Sequence, residues 1–482
     1  MSATRRATGD ATDARGQAPR REASVESELT GNRRTEALIV AINQASDMRH
    51  WYTGTKELQL TSLELCEACR SAHTVHLRVD GYIPTTLLKV DDHHANPVGG
   101  VLSRVRRLRE RRVTWRLPSV DLLINLVDAF AEVQELHFYD AFNGSLEAML
   151  RPSRLGRLML GDRLRFNQPI ASVASLVSLR ELKFGICFNQ PIEGVTWPSS
   201  LLQLTFGHMF NQPIDGVSWP TLLQHLRFGG SFNQPLDRVS WPASLQQLSF
   251  GRNFNQPMDE VSWPSFLQVL NFGTLFNQPI NGVTWPTTLR VLTFGQAFHH
   301  PICGIRLPSS LHTLSFGSTF DQPIEGVTWP KALRQLGLGW RFNRPVRGVT
   351  WPQSLQQLTF GYHFDQPVEG VTWPMTLQQL KFGGKFNQPI EDVVWPESLQ
   401  LLMFGVAFNQ PIEGTTWSSS LEELTFGSSF DRPIENVRWP NSLQRLTFGY
   451  SFNQPIAGVA WPSSLRQLKF GHCFDQPVDP EM

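Results

Sequence analysis

Apolar and polar positions alternate in short runs along most of the chain. The runs L-x-F at 204–206 and V-x-W at 217–219 both have a period of two, which is typical of short strands that turn alternate residues inward. These segments lack helical spacing, and two prolines in each unit would interrupt a helix. The pattern therefore predicts two short strands per unit and little helix. Across one unit the recurrent apolar positions are Leu201, Leu204, Phe206, Phe210, Ile214, Val217 and Trp219.

This pattern returns at a fixed interval of 22 residues. The phenylalanine of the F-N-Q-P motif recurs from Phe166 and Phe188 through to Phe474, which makes fifteen copies. A fixed period of about 20 to 50 residues indicates a solenoid, in which each unit buries its apolar face against its neighbours. We therefore expect a mainly β repeat solenoid, in which 22-residue coils stack through short parallel strands and the regular copies begin at about residue 155.

Weaker copies precede the regular ones. The segment ELHFYDAFNGSLEAML contains Leu136, Phe138 and Phe142, and VTWRLPSVDLL at 113–123 is a fainter echo. We expect a solenoid over 131–482 and a small mixed α/β cap, or further degenerate repeats, over 37–130. Residues 1–36 are polar, carry both charge signs and contain no aromatic residue, which predicts a disordered tail.

Composition narrows the classes of function. The 43 basic and 42 acidic residues nearly cancel, so the chain has no overall field for nucleic acid or an anionic membrane. Five scattered cysteines do not make a disulfide framework, and no stretch is apolar for long enough to be a secretory signal or to span a bilayer. We expect a location in the cytoplasm or nucleus.

Catalysis is disfavoured by the repeat itself. We call the equivalent position in successive coils a file. An active site brings unlike groups together at one place, whereas near-identical coils produce files of like residues. We therefore expect a protein that is not an enzyme and that needs no cofactor.

Constant positions are interpreted as the structural spine of the coil. Tryptophan fills twelve of thirteen positions in its file and follows an inward valine at strand spacing, which favours burial. Asn or Asp follows the repeat phenylalanine in all copies except His299, so this position needs an acceptor oxygen. The Asn or Asp side chain is expected to accept a hydrogen bond from the backbone N–H of the next Ile or Val, or from an adjacent coil. The spine residues are represented by Phe210, Asn211, Pro213, Ile214, Trp219, Trp241 and Trp263.

Variation is concentrated in the two positions between the glycine and the repeat phenylalanine. These positions hold Gly, Lys, Arg and Trp in turn, so they cannot be buried, and they should line up beside the outward residues of the strand. A varied strip on a rigid spine is how solenoids recognise partners. The candidate partner-binding residues are Trp340, Arg341, Arg344, Arg347, Tyr362, His363, Arg252 and Tyr450.

Other groups have weaker functional interpretations. Two clusters contain metal-binding residue types, although packing or drift explains both: Cys66, Cys69, His73 and His76, and His299, His300 and Cys303. The arginines within 104–112 are a solvated helix face or a patch for nuclear import or anions. The file of acidic residues is interpreted as a solvated edge, with a cation or a basic partner as the alternative. The file of Thr or Ser reflects strand propensity, with glycan or surface binding as the alternative.

The segment LQQLTFGYHFDQPVEGVTWP resembles the FNIP repeat, a relative of leucine-rich repeats, and the resemblance covers about two-thirds of the chain. The motif carries over to Leu201, Leu204, Phe206 and Gly207, and to the F-N-x-P-I residues from Phe210 to Ile214. The resemblance implies a leucine-rich-repeat-like solenoid that acts as a protein-interaction scaffold. In some members the repeats follow an F-box, which would make them substrate receptors of a ubiquitin ligase. Here that alternative needs a helical module at 36–70.

Overall fold

The computed structural model describes residues 134–138, 143, 146, 154–160 and 166–478, and the backbone of two earlier strands at 74–78 and 112–117. The predicted tail at 1–36 lies outside these residues, and so does most of the predicted cap region at 37–130. The limits of both regions therefore stay predictions.

Eighteen strands of one sheet lie in the described residues. The one helix among the described elements is the 3-10 helix Ala171–Ser175. The strands are β1 (Thr74–Arg78), β2 (Arg112–Leu117), β3 (Glu135–Phe138), β4 (Arg157–Leu160), β5 (Glu181–Phe184), β6 (Gln203–Thr205), β7 (His225–Arg227), β8 (Gln247–Ser249), β9 (Val269–Asn271), β10 (Val291–Thr293), β11 (Thr313–Ser315), β12 (Gln335–Gly337), β13 (Gln357–Thr359), β14 (Gln379–Lys381), β15 (Leu401–Met403), β16 (Glu423–Thr425), β17 (Arg445–Thr447) and β18 (Gln467–Lys469).

Each strand pairs in parallel with the strand of the next coil. In the regular part equivalent residues face each other, as Leu204 faces Leu226 and Leu358 faces Leu380. The strands β1, β2 and β3 continue the same ladder upstream. The fold is therefore a parallel β solenoid, with one coil per 22 residues from β5 onward, as the sequence predicts, and with other coil lengths upstream, such as 24 residues from β4 to β5.

Leucine and phenylalanine files fill the inside of the solenoid. Leu204 and Phe206 are buried. Phe206 stacks on Phe210 of its own coil with ring centroids 4.0 Å apart, and on Phe228 of the next coil at 5.6 Å. Burial of one such side chain stabilises the fold by about 1.5–3 kcal/mol. Because the partners come from neighbouring coils, each coil depends on the stack for its core.

The V-x-W run forms no strand in any described coil, so the prediction of two strands per coil is wrong. Val217 and Trp219 are buried and Ser218 is exposed, so the expected alternation is present. However, Trp197 and Trp219 lie 6.4 Å apart between ring centroids, and other neighbouring tryptophans lie at similar distances. Within the described coils no backbone hydrogen bond joins the V-x-W runs of neighbouring coils, and the N–H of Val217 donates instead to the carbonyl of Ile214 in its own coil at 3.4 Å. The run therefore stacks through its side chains and adds no second ladder.

A polar ladder holds the turn after the repeat phenylalanine. The side-chain Oδ1 of Asn211 accepts the backbone N–H of Asn233 in the next coil at 2.9 Å, and the Nε2 of Gln234 donates to the carbonyl of Asn211 at 2.9 Å. Asp365 accepts the N–H of Asn387 in the same way. The prediction that this side chain reaches an adjacent coil is confirmed. Aspartate fits the file because only an acceptor is required.

Candidate functional site

The variable strip is the pair of residues before each repeat phenylalanine, from Ile186–Cys187 to His472–Cys473. A second backbone ladder holds it beside the sheet. The N–H of the second strip residue donates to the carbonyl of the first strip residue in the preceding coil, as from Arg341 to Ser318 at 2.9 Å and from His363 to Trp340 at 2.9 Å. Backbone bonds therefore fix the strip, and its side chains are free to vary.

Exposed apolar side chains are concentrated in the variable strip. Six of the twelve large hydrophobic residues that the described structure exposes belong to it, although it supplies only two of the 22 positions in a coil. Exposed apolar groups gathered on one face mark interaction surfaces, and these six lie along the strip at intervals of one to three coils. The six are Ile186, Met209, Leu275, Trp340, Val406 and Tyr450.

The centre of the strip carries an aromatic stack. The indole of Trp340 lies 4.4 Å from the ring of Tyr362 with an interplanar angle of 5°, and His363 meets both rings edge-on. The ring of Tyr362 in turn covers Gly384, where a Cβ atom would lie 2.2 Å from Cε2 of Tyr362. The stack therefore leans toward the C-terminal coils, and Trp340 is still 53% exposed.

An open depression lies on the other side of Trp340. Its volume is about 770 Å³, within the range of about 300–1,000 Å³ that is usual for ligand pockets. Tyr362 does not line it, so the indole face that Tyr362 leaves free borders the depression. Sequence reasoning found Trp340, Arg341 and His363 but not the depression, because four of its eight lining residues come from the preceding coils. The lining residues are His299, Ser318, Thr319, Asp321, Trp340, Arg341, Asn343 and His363.

The candidate residues Arg341, Arg344 and Arg347 lie close together in sequence but belong to three different files. Arg341 lines the depression. Arg344 replaces the glutamine of the polar ladder and holds the preceding coil, with its Nε 2.9 Å from the carbonyl oxygen of Asp321 and one Nη 2.9 Å from the Asp321 carboxylate. Arg347 lies in the acidic file, between Glu325 and Glu369. The structure therefore brings Trp340 together with Arg341, Tyr362 and His363, and gives Arg344 and Arg347 different surroundings.

The remaining candidates lie elsewhere on the strip. Arg252 is exposed four coils before Trp340, which is about 19 Å at the strand spacing. Tyr450 is exposed five coils after Trp340, and its ring stacks on His472 with centroids 5.5 Å apart. A ligand that reaches all of these residues must be extended along the solenoid.

The spine residues occupy two kinds of position. Phe210, Ile214 and Trp219 are buried, and Trp241 and Trp263 are partly buried against the core. Asn211 and Pro213 are exposed, so they act through hydrogen bonding and backbone conformation rather than burial. The indole N–H groups of the tryptophan file are buried, and no hydrogen-bond acceptor in the described structure reaches them.

The residues of the unusual coil have separate partners. The Nε2 of His300 lies 3.0 Å from the carbonyl oxygen of Asn277, where the glutamine amide lies in other coils, and the Nδ1 of His299 lies 2.8 Å from the carbonyl oxygen of Thr319. Within the described residues no three His, Cys, Asp or Glu side chains are grouped to hold a metal. Cys66, Cys69, His73 and His76 lie outside those residues. The same part of the chain contains no helix long and apolar enough to cross a membrane.

The constant positions of the coil match a known repeat. The profile described as FNIP Repeat matches eight segments that together cover more than half of the chain, at residues 188–231, 210–253, 232–275, 276–319, 320–363, 364–406, 408–451 and 439–473. The chain belongs to the FNIP repeat family. A comparison of this FNIP protein with curated proteins gave no match.

A solved structure of a leucine-rich-repeat protein resembles the FNIP solenoid. The circular leucine-rich-repeat protein CroV588 is 36% identical, with a TM-score of 0.63, over 74% of this chain and 59% of CroV588. The match thus spans less than two-thirds of that protein. An internalin of Listeria monocytogenes is 14% identical over 73% of this chain and 88% of its own, with a TM-score of 0.29. A leucine-rich-repeat protein of Leptospira interrogans is 14% identical over 77% and 93%, with a TM-score of 0.38.

Proposed function

We propose that this FNIP solenoid is a non-enzymatic scaffold that binds other proteins through its variable strip. The observation that carries the proposal is the concentration of exposed apolar side chains in the strip, on a backbone whose hydrogen bonds are already made within the solenoid. Such a surface loses little conformational entropy on binding, because the strip is held in place before the partner arrives.

The centre of the contact surface is the group formed by Trp340, Arg341, Tyr362 and His363. Trp, Tyr and Arg are the residue types that most often dominate the energy of protein interfaces. The Trp340–Tyr362 stack presents a rigid aromatic surface, and Arg341 adds a charge at its edge. Arg252 and Tyr450 would extend the contact along the strip to either side.

We propose a location in the cytoplasm or nucleus for this interaction. Cys187, Cys303 and Cys473 are free thiols in the described structure, which fits a reducing compartment. A role as substrate receptor of a ubiquitin ligase would depend on residues 36–70, which the structure does not describe.

Affinity capture with matched variants tests the scaffold function. One variant changes Trp340, Arg341, Tyr362 and His363 to Ser, and the control changes the exposed Thr350 and Thr372, away from the sheet, to Lys. We expect the strip variant to lose specific proteins that the intact chain and the control retain, with all three proteins melting at similar temperatures. Loss in the control alone, or binding of glycans in place of proteins, would refute the proposal.

A further inference from the structure

The polar ladder is interrupted at one point in the described coils. In every other regular coil from Asn189 on, the backbone N–H after the repeat phenylalanine donates to the Asn or Asp side chain of the coil before. His299 has no such oxygen, and its ring turns to the carbonyl of Thr319. The N–H of Asp321 therefore has no acceptor among the described residues.

This interruption lies in the depression beside Trp340. Both His299 and Asp321 line the depression, together with the small residue Ser318. A planar ring stacked on the free face of Trp340 would lie about 3.5–4 Å from the indole. The preceding coil is about 4.8 Å away, and its residue in the same file is Ser318. The ring would therefore lie over Ser318, whose small side chain leaves room for it. Thr319, which forms the floor together with Ser318, is held in place by its hydroxyl, which donates to the carbonyl of Gln296 at 2.7 Å. The site thus combines an aromatic wall, a fixed floor and an unused backbone donor.

The charges in the depression favour an anionic ligand. The carboxylate of Asp321 is already engaged by Arg344 at 2.9 Å and by the N–H of Asn343 at 2.9 Å. Arg341 makes no ion pair with any described residue, and His363 and the exposed Lys385 follow it in the same file. The guanidinium of Arg341 is therefore free to bind a carboxylate in two-point geometry.

We propose that this depression binds an acidic peptide segment in which a proline or aromatic ring stands next to an Asp or Glu. The ring stacks on Trp340 above Ser318, and the neighbouring carboxylate binds Arg341. A carbonyl oxygen of the peptide accepts the free N–H of Asp321. The proposal rests on the scaffold function, for which it names the chemistry of the partner.

A peptide accounts for all three features at once. Its backbone carries a carbonyl within a few bonds of each side chain, so one short segment provides the ring, the carboxylate and the acceptor. A neutral sugar would use the aromatic wall and leave Arg341 unpaired. Acidic glycans are kept as an alternative outcome of the test.

The test uses the full-length protein and an array of nine-residue peptides. The peptides contain Glu next to Phe, Tyr, Trp or Pro in both orders, with matched versions in which Glu is Gln or the ring residue is Ala. Sialylated glycans are spotted on the same array. The affinity of each peptide or glycan that binds is then measured by fluorescence anisotropy. We expect binding only where the ring and the carboxylate are both present.

Three variants probe separate parts of the depression. Ser318→Trp fills the space above the floor, and Arg341→Gln removes the charge; each should weaken binding about tenfold or more. His299→Asn restores the ladder acceptor for the N–H of Asp321, so it should raise the melting temperature and weaken binding several-fold. Arg438→Gln, in the same exposed file as Thr350 and Thr372, is the matched control for loss of one charge and should bind as the intact protein does.

Each outcome separates this proposal from the scaffold function. Peptide binding that survives Ser318→Trp but is lost in a further strip variant, Arg252→Gln, overturns the depression and leaves the strip as the binding surface. If glycans bind and this binding is lost in Ser318→Trp and Arg341→Gln, the ligand of the depression is a glycan and the proposed peptide ligand is wrong. If no peptide of the array binds while proteins are still captured through the strip, the ligand chemistry is wrong; if neither occurs, the scaffold function fails as well.

Discussion

The Cα of Gly339 lies so close to the preceding coil that a Cβ atom there would be 1.9 Å from the carbonyl oxygen of Gly317. The same relationship recurs in the glycine file from Gly207 to Gly471, at 1.5–1.9 Å. Since the obstacle is backbone, it cannot move aside without breaking the ladder. Glycine at this position is therefore a requirement of coil stacking, and it leads directly into the variable strip.

Gly339→Ala is expected to destabilise the solenoid by about 3 kcal/mol or more, at the upper end of the cost of overpacking. The matched control is Gly337→Ala in the same coil, where the added Cβ would be 3.5 Å from Oγ of Ser315. That control should be neutral or stabilising by up to about 1 kcal/mol, because glycine weakens a strand. Urea unfolding measures both. Equal effects of the two changes would show that the glycine file is not sterically required.

Asn233→Ala removes the acceptor for the backbone N–H of Asn255, which it bonds at 2.8 Å. We expect a loss of about 1–3 kcal/mol, the usual cost of leaving such a donor without a partner. Asn233→Asp keeps the acceptor and should stay within about 0.5 kcal/mol, as a surface change does, because both neighbours in the file are uncharged asparagines. Thermal unfolding distinguishes the two, and similar losses for both would contradict the acceptor role.

Trp351 is buried between Trp329 and Trp373, and its indole N–H has no acceptor in the described structure. Trp351→Ala should cost about 3–5 kcal/mol through lost packing. Trp351→Phe keeps an aromatic ring and removes a buried donor that is not hydrogen-bonded, so it should cost less than about 2 kcal/mol. Hydrogen exchange across the neighbouring coils measures both changes. A cost for Phe as large as for Ala would mean that the N–H makes a stabilising contact.

Arg344→Gln restores the usual residue of the polar ladder, and Gln366 shows that glutamine can bond the preceding coil there. Stability should change by less than about 0.5 kcal/mol. Binding of the acidic peptides should nevertheless weaken, because the carboxylate of Asp321 loses its cation. Melting temperature and anisotropy separate the two effects. Unchanged affinity would show that this carboxylate does not influence the ligand.

Much of the fold follows from the sequence because the repeat imposes one solution on all coils. The period gives the coil length, and the buried positions of Leu204, Phe206 and Trp219 follow from alternation. The second strand was predicted wrongly, since V-x-W has strand-like alternation but the valine N–H bonds within its own coil, as from Val217 to Ile214. Alternation reports which side chains are buried, and it does not report whether the backbone pairs with the next coil.

The site was only partly predictable. The variable strip could be found because buried positions do not tolerate such variety, and Trp340 and Arg341 were identified in it. The depression was missed because its floor at Ser318 and its free donor at Asp321 come from the preceding coil, 22 residues upstream. Arg344 was grouped with Trp340 by proximity in sequence, although its position in the polar ladder directs it to Asp321.

Site-specific photo-cross-linking in cells tests the central claim most directly. A photoreactive phenylalanine derivative is placed at Lys385 or Arg252 in the variable strip, or at Thr372 on the surface away from the sheet, in otherwise intact protein. The scaffold account predicts cross-links to the same partner proteins from Lys385 and Arg252 and none to them from Thr372. Cross-links to specific partners from Thr372, with none from either strip position, would contradict it.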